Sequence, residues 1–160
     1  MDIFCFYGHS GENAYLSNWF HCDFTVGDLK FTSMEQFMMY KKAVIFGDFD
    51  IANKILATED TAKIKKMGRL VSNYDENYWN GVRQLVVYEG LIEKFSQNRP
   101  LLDKLLETKG KILAECTVKD RIWGTGVSMD DEDRFHIEKW KGRNLLGYTL
   151  TMVREKLANQ

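Results

Sequence analysis

A carboxylate and an amine, Glu35 and Lys42, stand seven residues apart in the stretch that opens with Ser33-Met34-Glu35-Gln36. That tetrapeptide reads as a capping box, with the serine hydroxyl capping a helix and Gln36 at its third position reaching back. At about 100° per residue, seven steps return Lys42 to within roughly 20° of the face that carries Glu35, so the two can line one cleft. In the first turn of a helix the N-terminal dipole favours the negative charge of Glu35. An ionised carboxylate there can activate water or shuttle a proton to a leaving base, although helix stability alone would also select glutamate at this position. A neutral lysine offers a more specific route. The amine attacks a carbonyl-level carbon to form a Schiff base, and water then hydrolyses the imine. Such a lysine needs a pKa lowered by burial or by a cationic neighbour, which Lys41 or Arg69 can supply. The plainer alternative leaves Lys42 as an exposed or phosphate-binding cation.

Trp123 lies among polar and glycine residues rather than on an apolar helical stripe, which suits stacking on a flat base, or else packing under a loop. Gly124, Gly126 and Gly142 around it permit close backbone approach. Asn144 at a helix start can cap that helix and leave backbone N–H groups aimed at a phosphate. Arg69 and Arg83 can clamp a phosphate in bidentate fashion, or form ordinary surface ion pairs.

The elements that must hold these residues follow from punctuation and periodicity. Residues 3–7 are short and apolar, and residues 22–26 and 29–32 flank Gly27-Asp28, which suits a hairpin turn; together they predict a small antiparallel element. Helices are expected after Ser33, over residues 49–56, and over residues 60–67 with Gly68 placed to stop the last. The longest helix should start near Asp75, with Tyr78, Val82, Leu85, Ile92 and Phe95 on its inner face and Trp79 and Val86 widening the stripe. Pro100 opens a further helix ending before Gly110. Residues 112–118 suit a strand, residues 120–133 a loop, and a last helix from Asn144 turns Leu146, Leu150, Val153 and Leu157 to the core. The class is α+β, a mainly helical single domain over residues 1–160 with a small antiparallel sheet.

Composition bounds the function. The 160 residues suffice for one domain with a sizeable core, and 4 Trp, 7 Tyr and 10 Phe are enough aromatics to line a pocket as well. A formal charge of −1 gives no global field for a nucleic-acid backbone, so a polynucleotide would have to be held by a local patch. Cys5, Cys22 and Cys116 form no C-x-x-C spacing and fit reduced thiols. His9, His21 and His136 lie in separate segments without metal-ligand spacing, so neither a metal nor a cofactor is expected. No long apolar run suggests a signal peptide or a membrane span, and the default address is the cytoplasm. The acidic run from Asp130 to Asp133 reads as a solvated loop.

In order and spacing, several short motifs together resemble the YbiA-like family, also called NADAR. They are Phe6-Tyr7, Leu16-Ser17-Asn18, Ser33-x-Glu35, Lys42-Ala43, Gly68-Arg69, Trp79, Arg83, Lys94-Phe95, Trp123-Gly124-x-Gly126 and Gly142-x-Asn144-x-x-Gly147. Two positions depart from the pattern: Gln36 stands where many members have histidine, and Met39 at a later glutamine position. The resemblance implies an N-glycosidase acting on a ribosylaminopyrimidine phosphate of riboflavin synthesis or on ADP-ribosylated guanine, which includes ADP-ribosylated DNA as a substrate. It implies Glu35 as general acid/base, Lys42 as nucleophile or electrostatic stabiliser and Asp120 as a supporting carboxylate. Asn18, Arg69, Arg83, Trp123, Gly124, Gly126, Asn144 and Gly147 are implied as substrate-binding. The competing reading is a non-catalytic ADP-ribose or nucleotide-binding module, which would not need the Glu35/Lys42 pair.

Overall fold

The computed structural model describes residues 1–160. In chain order its elements are β1 (Asp2–Phe6), β2 (Phe24–Val26), β3 (Leu29–Phe31), α1 (Met34–Ile45), α2 (Phe49–Leu56), α3 (Thr61–Gly68), α4 (Glu76–Ser96), α5 (Arg99–Glu107), β4 (Lys111–Glu115) and α6 (Leu145–Ala158). The fold is α+β and mainly helical. Its residues gather into two compact units, Asn18–Gln97 and Met1–Ser17 with Asn98–Gln160. No helix is long and apolar enough to cross a membrane.

In the Asn18–Gln97 unit, β2 and β3 form the expected hairpin, with Phe24 opposite Phe31 and Gly27 at φ +60° in the turn. The hairpin is pinned to α1 by rings: Phe37 lies 6.1 Å from Phe24 and 5.2 Å from Phe31. Acid and serine side chains start four of the helices, Ser33 as expected. Ser33 Oγ accepts from Gln36 N, Asp48 from Ile51 N, Asp60 from Ala62 N and Lys63 N, and Asp75 from Tyr78 N. Helix α1 packs against α2, α3 and α4, so its register is fixed from three sides.

Two helix readings are corrected by packing. On α4 the buried line is Trp79, Arg83, Val86, Val87, Gly90, Leu91, Lys94 and Phe95, while Tyr78 and Leu85 face out. Apolar periodicity misphased the helix because two of its inward positions are Arg83 and Lys94. Gly90 makes that phase possible, since a Cβ there would stand 2.5 Å from Phe37 and 2.7 Å from Met34 on α1. Gly68 is the last residue of α3, yet its role is close approach: a Cβ at Gly68 would overlap Met39 Sδ.

In the other unit, β1 pairs in parallel with β4, Asp2 opposite Lys111 through Phe6 opposite Glu115. The expectation that residues 3–7 join the antiparallel element is therefore corrected; a parallel partner arrives only after a long crossover, which local patterning does not reveal. Helix α6 lies on β4 and buries Leu146, Leu150, Val153 and Leu157 as its spacing predicts. Thr151 Oγ1 accepts from Leu113 N at 3.1 Å, and Arg154 donates to the Thr108 carbonyl at 2.8 Å.

Candidate active site

Helix α1 carries the carboxylate and the amine. Glu35 is 5% exposed, and its backbone N–H donates to the Asn18 carbonyl at 2.8 Å. Gln36, the position that departs from the family pattern, is fully engaged in structure: its side-chain oxygen accepts from Thr32 N, and its NH₂ donates to the Ile55 and Thr58 carbonyls. It reaches back one residue beyond the serine of the expected box. By tying the start of α1 to the end of α2, it fixes the direction in which Glu35 leaves the helix.

Lys42 is half-buried, with Nζ 4.6 Å from the centre of the Tyr74 ring and 5.9 Å from that of Trp79. Burial pushes its pKa below the ordinary lysine value; the Glu35 charge opposes this, and the Arg69 charge adds to it. Of the two cationic neighbours expected from the sequence, Arg69 is thus the one that acts. Lys41 pairs instead with Glu89 at 3.7 Å. The contact of Gly68 with Met39 brings the C-terminal end of α3, and so Arg69, to α1.

Around the amine, α4 and the loop before it supply the rest. Arg83 is buried at 6% exposure; burial and the Glu76 charge push the Tyr74 hydroxyl pKa up, and the Arg83 charge opposes them. Phe46 touches both Tyr74 and Tyr78 edge-on, at 5.4 and 6.2 Å. The Asn18 side chain is 7% exposed, and its Oδ1 is buried without a hydrogen-bond partner. Such an acceptor costs about 1–3 kcal/mol unless something donates to it, which makes it a natural point for a ligand N–H or O–H. Asn18, Glu35, Lys42, Arg69 and Arg83 thus share one unit. Sequence reasoning missed Tyr74, and it gave Trp79 only a core role. Tyr74 carries no signal of its own beyond being an aromatic one residue before the Asp75 cap.

The remaining candidates belong to the other unit, where they build a loop. Asp120 Oδ1 accepts from Ile122 N and Trp123 N, both at 2.9 Å. Trp123 is half-buried. The Gly124 carbonyl accepts from Asn144 N, and the Thr125 carbonyl accepts from Lys141 N and Gly142 N. Gly126 turns the chain at φ +77°.

The expected phosphate site at the start of α6 is not available. Leu145 N and Leu146 N already donate to the Ile122 and Trp123 carbonyls. Asn144 itself is left-handed (φ +50°), fully buried, and caps nothing. Its Oδ1 accepts from Glu115 N and its Nδ2 donates to the Leu113 carbonyl, both at 3.0 Å. Gly147 lies against that bracket, where a Cβ would overlap the Leu113 carbonyl. Asn144 and Gly147 therefore hold β4 to α6 and are not placed to touch a phosphate. Asn144→Ala is expected to cost about 2–4 kcal/mol in denaturant unfolding, because two buried backbone groups lose their partners. A loss below about 0.5 kcal/mol, the scale of an ordinary surface change, would show the bracket to be dispensable.

Residues 5–158 match the NADAR domain. The chain belongs to the NADAR family. An N-glycosidase of Acanthamoeba polyphaga mimivirus is 39% identical over 79% of this chain and 75% of its own length. The N-glycosidase YbiA of Escherichia coli is 29% identical over 98% of this chain and 89% of its own. Its NMR structure superposes with a TM-score of 0.82, covering 99% of this chain and 86% of that one. A riboflavin biosynthesis protein of Vibrio vulnificus is 32% identical over 95% of this chain, which spans only 38% of that longer protein. This NADAR chain is accordingly an enzyme of the N-glycosidase class.

Proposed function

We propose that this enzyme hydrolyses the bond between C1 of a phosphorylated or ADP-ribosylated ribose and a nitrogen of its base, with Lys42 as nucleophile and Glu35 as general acid/base. The observation that carries this reading is the half-buried Lys42 amine, whose pKa is lowered by burial and by Arg69, on the same helix as the buried carboxylate of Glu35. At a given pH, a lysine of lowered pKa offers a larger share of neutral amine than an exposed lysine does.

In the proposed sequence, Glu35 supplies the proton that lets the base nitrogen leave as the Lys42 nitrogen bonds to C1 of the opened ribose. Glu35, now ionised, takes a proton from the water that hydrolyses the imine, and Lys42 is released as an amine. Arg69 and Arg83 meet the phosphate of the substrate, and the unsatisfied Asn18 Oδ1 accepts from a ribose hydroxyl or a base N–H.

The name of the Vibrio relative favours a ribosylaminopyrimidine phosphate, and ADP-ribosylated guanine is the other substrate that fits the chemistry. The enzyme is to be incubated with each, the guanine presented both as a nucleotide and within DNA, and the products read by mass spectrometry. Release of the free base and of the ribose or ADP-ribose moiety from one of them is expected. Tight binding of ADP-ribose with no cleavage of any would replace the enzyme reading with that of a binding module.

A further inference from the structure

The Lys42 nitrogen is seated against aromatic rings. Nζ lies 4.6 Å from the centre of the Tyr74 ring and 5.9 Å from that of Trp79, both within reach of a cation–π contact. The two rings differ in what else they do. Trp79 is 6% exposed and belongs to the packed face of α4. Tyr74 is 43% exposed and lies in the loop before α4, outside the core. Phe46, just past the end of α1, meets the Tyr74 ring edge-on at 5.4 Å, with the two planes at 68°. The Phe46 amide donates to the Lys42 carbonyl at 3.2 Å, so one turn of backbone carries both the amine and the ring that braces Tyr74 beside it. One residue further on, the Asp75 carboxylate anchors the loop by accepting from Tyr78 N at 3.0 Å. A largely exposed ring is thus fixed from two sides against a single amine.

We propose that Tyr74 is a positioning residue whose ring face seats the Lys42 nitrogen and favours its ammonium form in the free enzyme. The inference rests on the reading of Lys42 as the nucleophile. The negative face of an aromatic ring attracts an ammonium and not a neutral amine. Tyr74 therefore acts with the Glu35 charge, against burial and the Arg69 charge, on the proton of Lys42. Charged groups on the other packed elements are turned elsewhere. Lys41 pairs with Glu89 on α4, Lys65 on α3 lies over the Trp19 ring, and Asp48 at the start of α2 accepts from the Ile51 and Ser72 amides. Asp75, Glu76 and Arg83 act on the Tyr74 hydroxyl, the two carboxylates against the guanidinium. All of these groups stay in place when the ring is changed, so a shift in Lys42 reports the ring.

The seat has a role in the reaction. It holds Nζ at one place in the cleft, where C1 of the sugar must come to meet it, and a reacting pair held in position gains rate that a mobile amine does not. In the resting enzyme it also keeps a larger share of Lys42 protonated, which shields the amine from stray aldehydes.

Two substitutions test the proposal. Tyr74→Leu removes the π face and keeps an apolar side chain against Phe46, and Tyr74→Phe restores the ring without the hydroxyl. Reductive methylation with formaldehyde and cyanoborohydride across pH, with Lys42 followed by peptide mass spectrometry, reads the amine without any substrate. In Tyr74→Leu the midpoint of Lys42 methylation should fall by about half a pH unit, the size of a partly exposed cation–π contact, while that of Lys41 stays. Turnover of the ribosylaminopyrimidine phosphate or of ADP-ribosylated guanine should fall by roughly tenfold or more with KM unchanged, because a displaced nitrogen slows the bond to C1 and leaves binding alone. Tyr74→Phe should recover both the midpoint and the turnover that Tyr74→Leu loses. A midpoint that stays or rises in Tyr74→Leu would overturn the seat. So would a Tyr74→Phe enzyme as impaired as Tyr74→Leu, which would give the role to the hydroxyl, or a raised KM with kcat intact, which would make Tyr74 a substrate contact. Failure of the nucleophile reading is separate: turnover would survive in Lys42→Arg, while the methylation midpoints of the two Tyr74 variants would still differ.

Discussion

Glu35→Gln is expected to lower turnover by roughly 10²- to 10⁴-fold, the scale of a lost general acid/base, with thermal unfolding little changed. The substitution keeps the size and helix propensity of the side chain. It removes a charge that the helix N-terminus favours by about 0.3–1 kcal/mol, a small part of a domain's stability. The backbone bond from residue 35 to the Asn18 carbonyl does not depend on the side chain. The electrostatics add a second readout. The Glu35 charge raises the Lys42 pKa against the effect of burial, so its removal lets that pKa fall further. The rising limb of the residual pH–rate profile should therefore shift to lower pH in Glu35→Gln. Near-normal turnover would remove Glu35 from the mechanism. A limb that moves to higher pH would show that the two groups are not coupled as the geometry indicates.

Legibility in the sequence followed how local the cause was. The start of α1 is visible because the Ser33 cap is decided by one side chain and an amide three residues on, and α2, α3 and α4 begin within a residue of their expected starts. The Glu35/Lys42 pairing is visible because one helix fixes it. The inner face of α4 was misread because its phase depends on Gly90 meeting α1 and on two buried cations that an apolar pattern counts as surface. Lys94 illustrates the difficulty. Covered by the rings of Phe20 and Phe95, it has a pKa pushed down by burial to about 8, with the Cys22 charge opposing the shift. Nothing near it in sequence distinguishes it from an exposed lysine. Asn144 was recognised as special for the wrong reason. Its left-handed backbone and its bonds to Leu113 and Glu115 depend on residues about thirty positions away. Tyr74 and Arg69 meet Lys42 only through the packing of α3 and α4 on α1, so the choice of Arg69 over Lys41 as the cationic neighbour had to come from the structure.

Lys42→Arg is expected to abolish both turnover and reductive trapping. If Lys42 attacks C1 of the opened ribose, borohydride added during turnover freezes the imine as a secondary amine, a trace that hydrolysis by Glu35 and water alone does not leave. The adduct should map to Lys42. Lys41 is held by Glu89 and Lys94 has no exposed surface, so neither competes for the sugar, even though Lys94 has the lower pKa that burial brings. Arginine keeps the positive charge but stays protonated at every working pH, which separates a nucleophilic lysine from an electrostatic one. The sign of the pH dependence follows from the same shift. The neutral amine is the reactive form, so trapping should rise with pH and level off above a pKa that lies below the ordinary lysine value of 10.5. Charge reversal at Arg69 gives the converse: Arg69→Glu replaces a cation that lowers the Lys42 pKa with an anion that raises it, and the limb should move to higher pH. An active Lys42→Arg enzyme, or an adduct that maps to Lys41, would sink the lysine assignment and leave Glu35 acting on water as the mechanism.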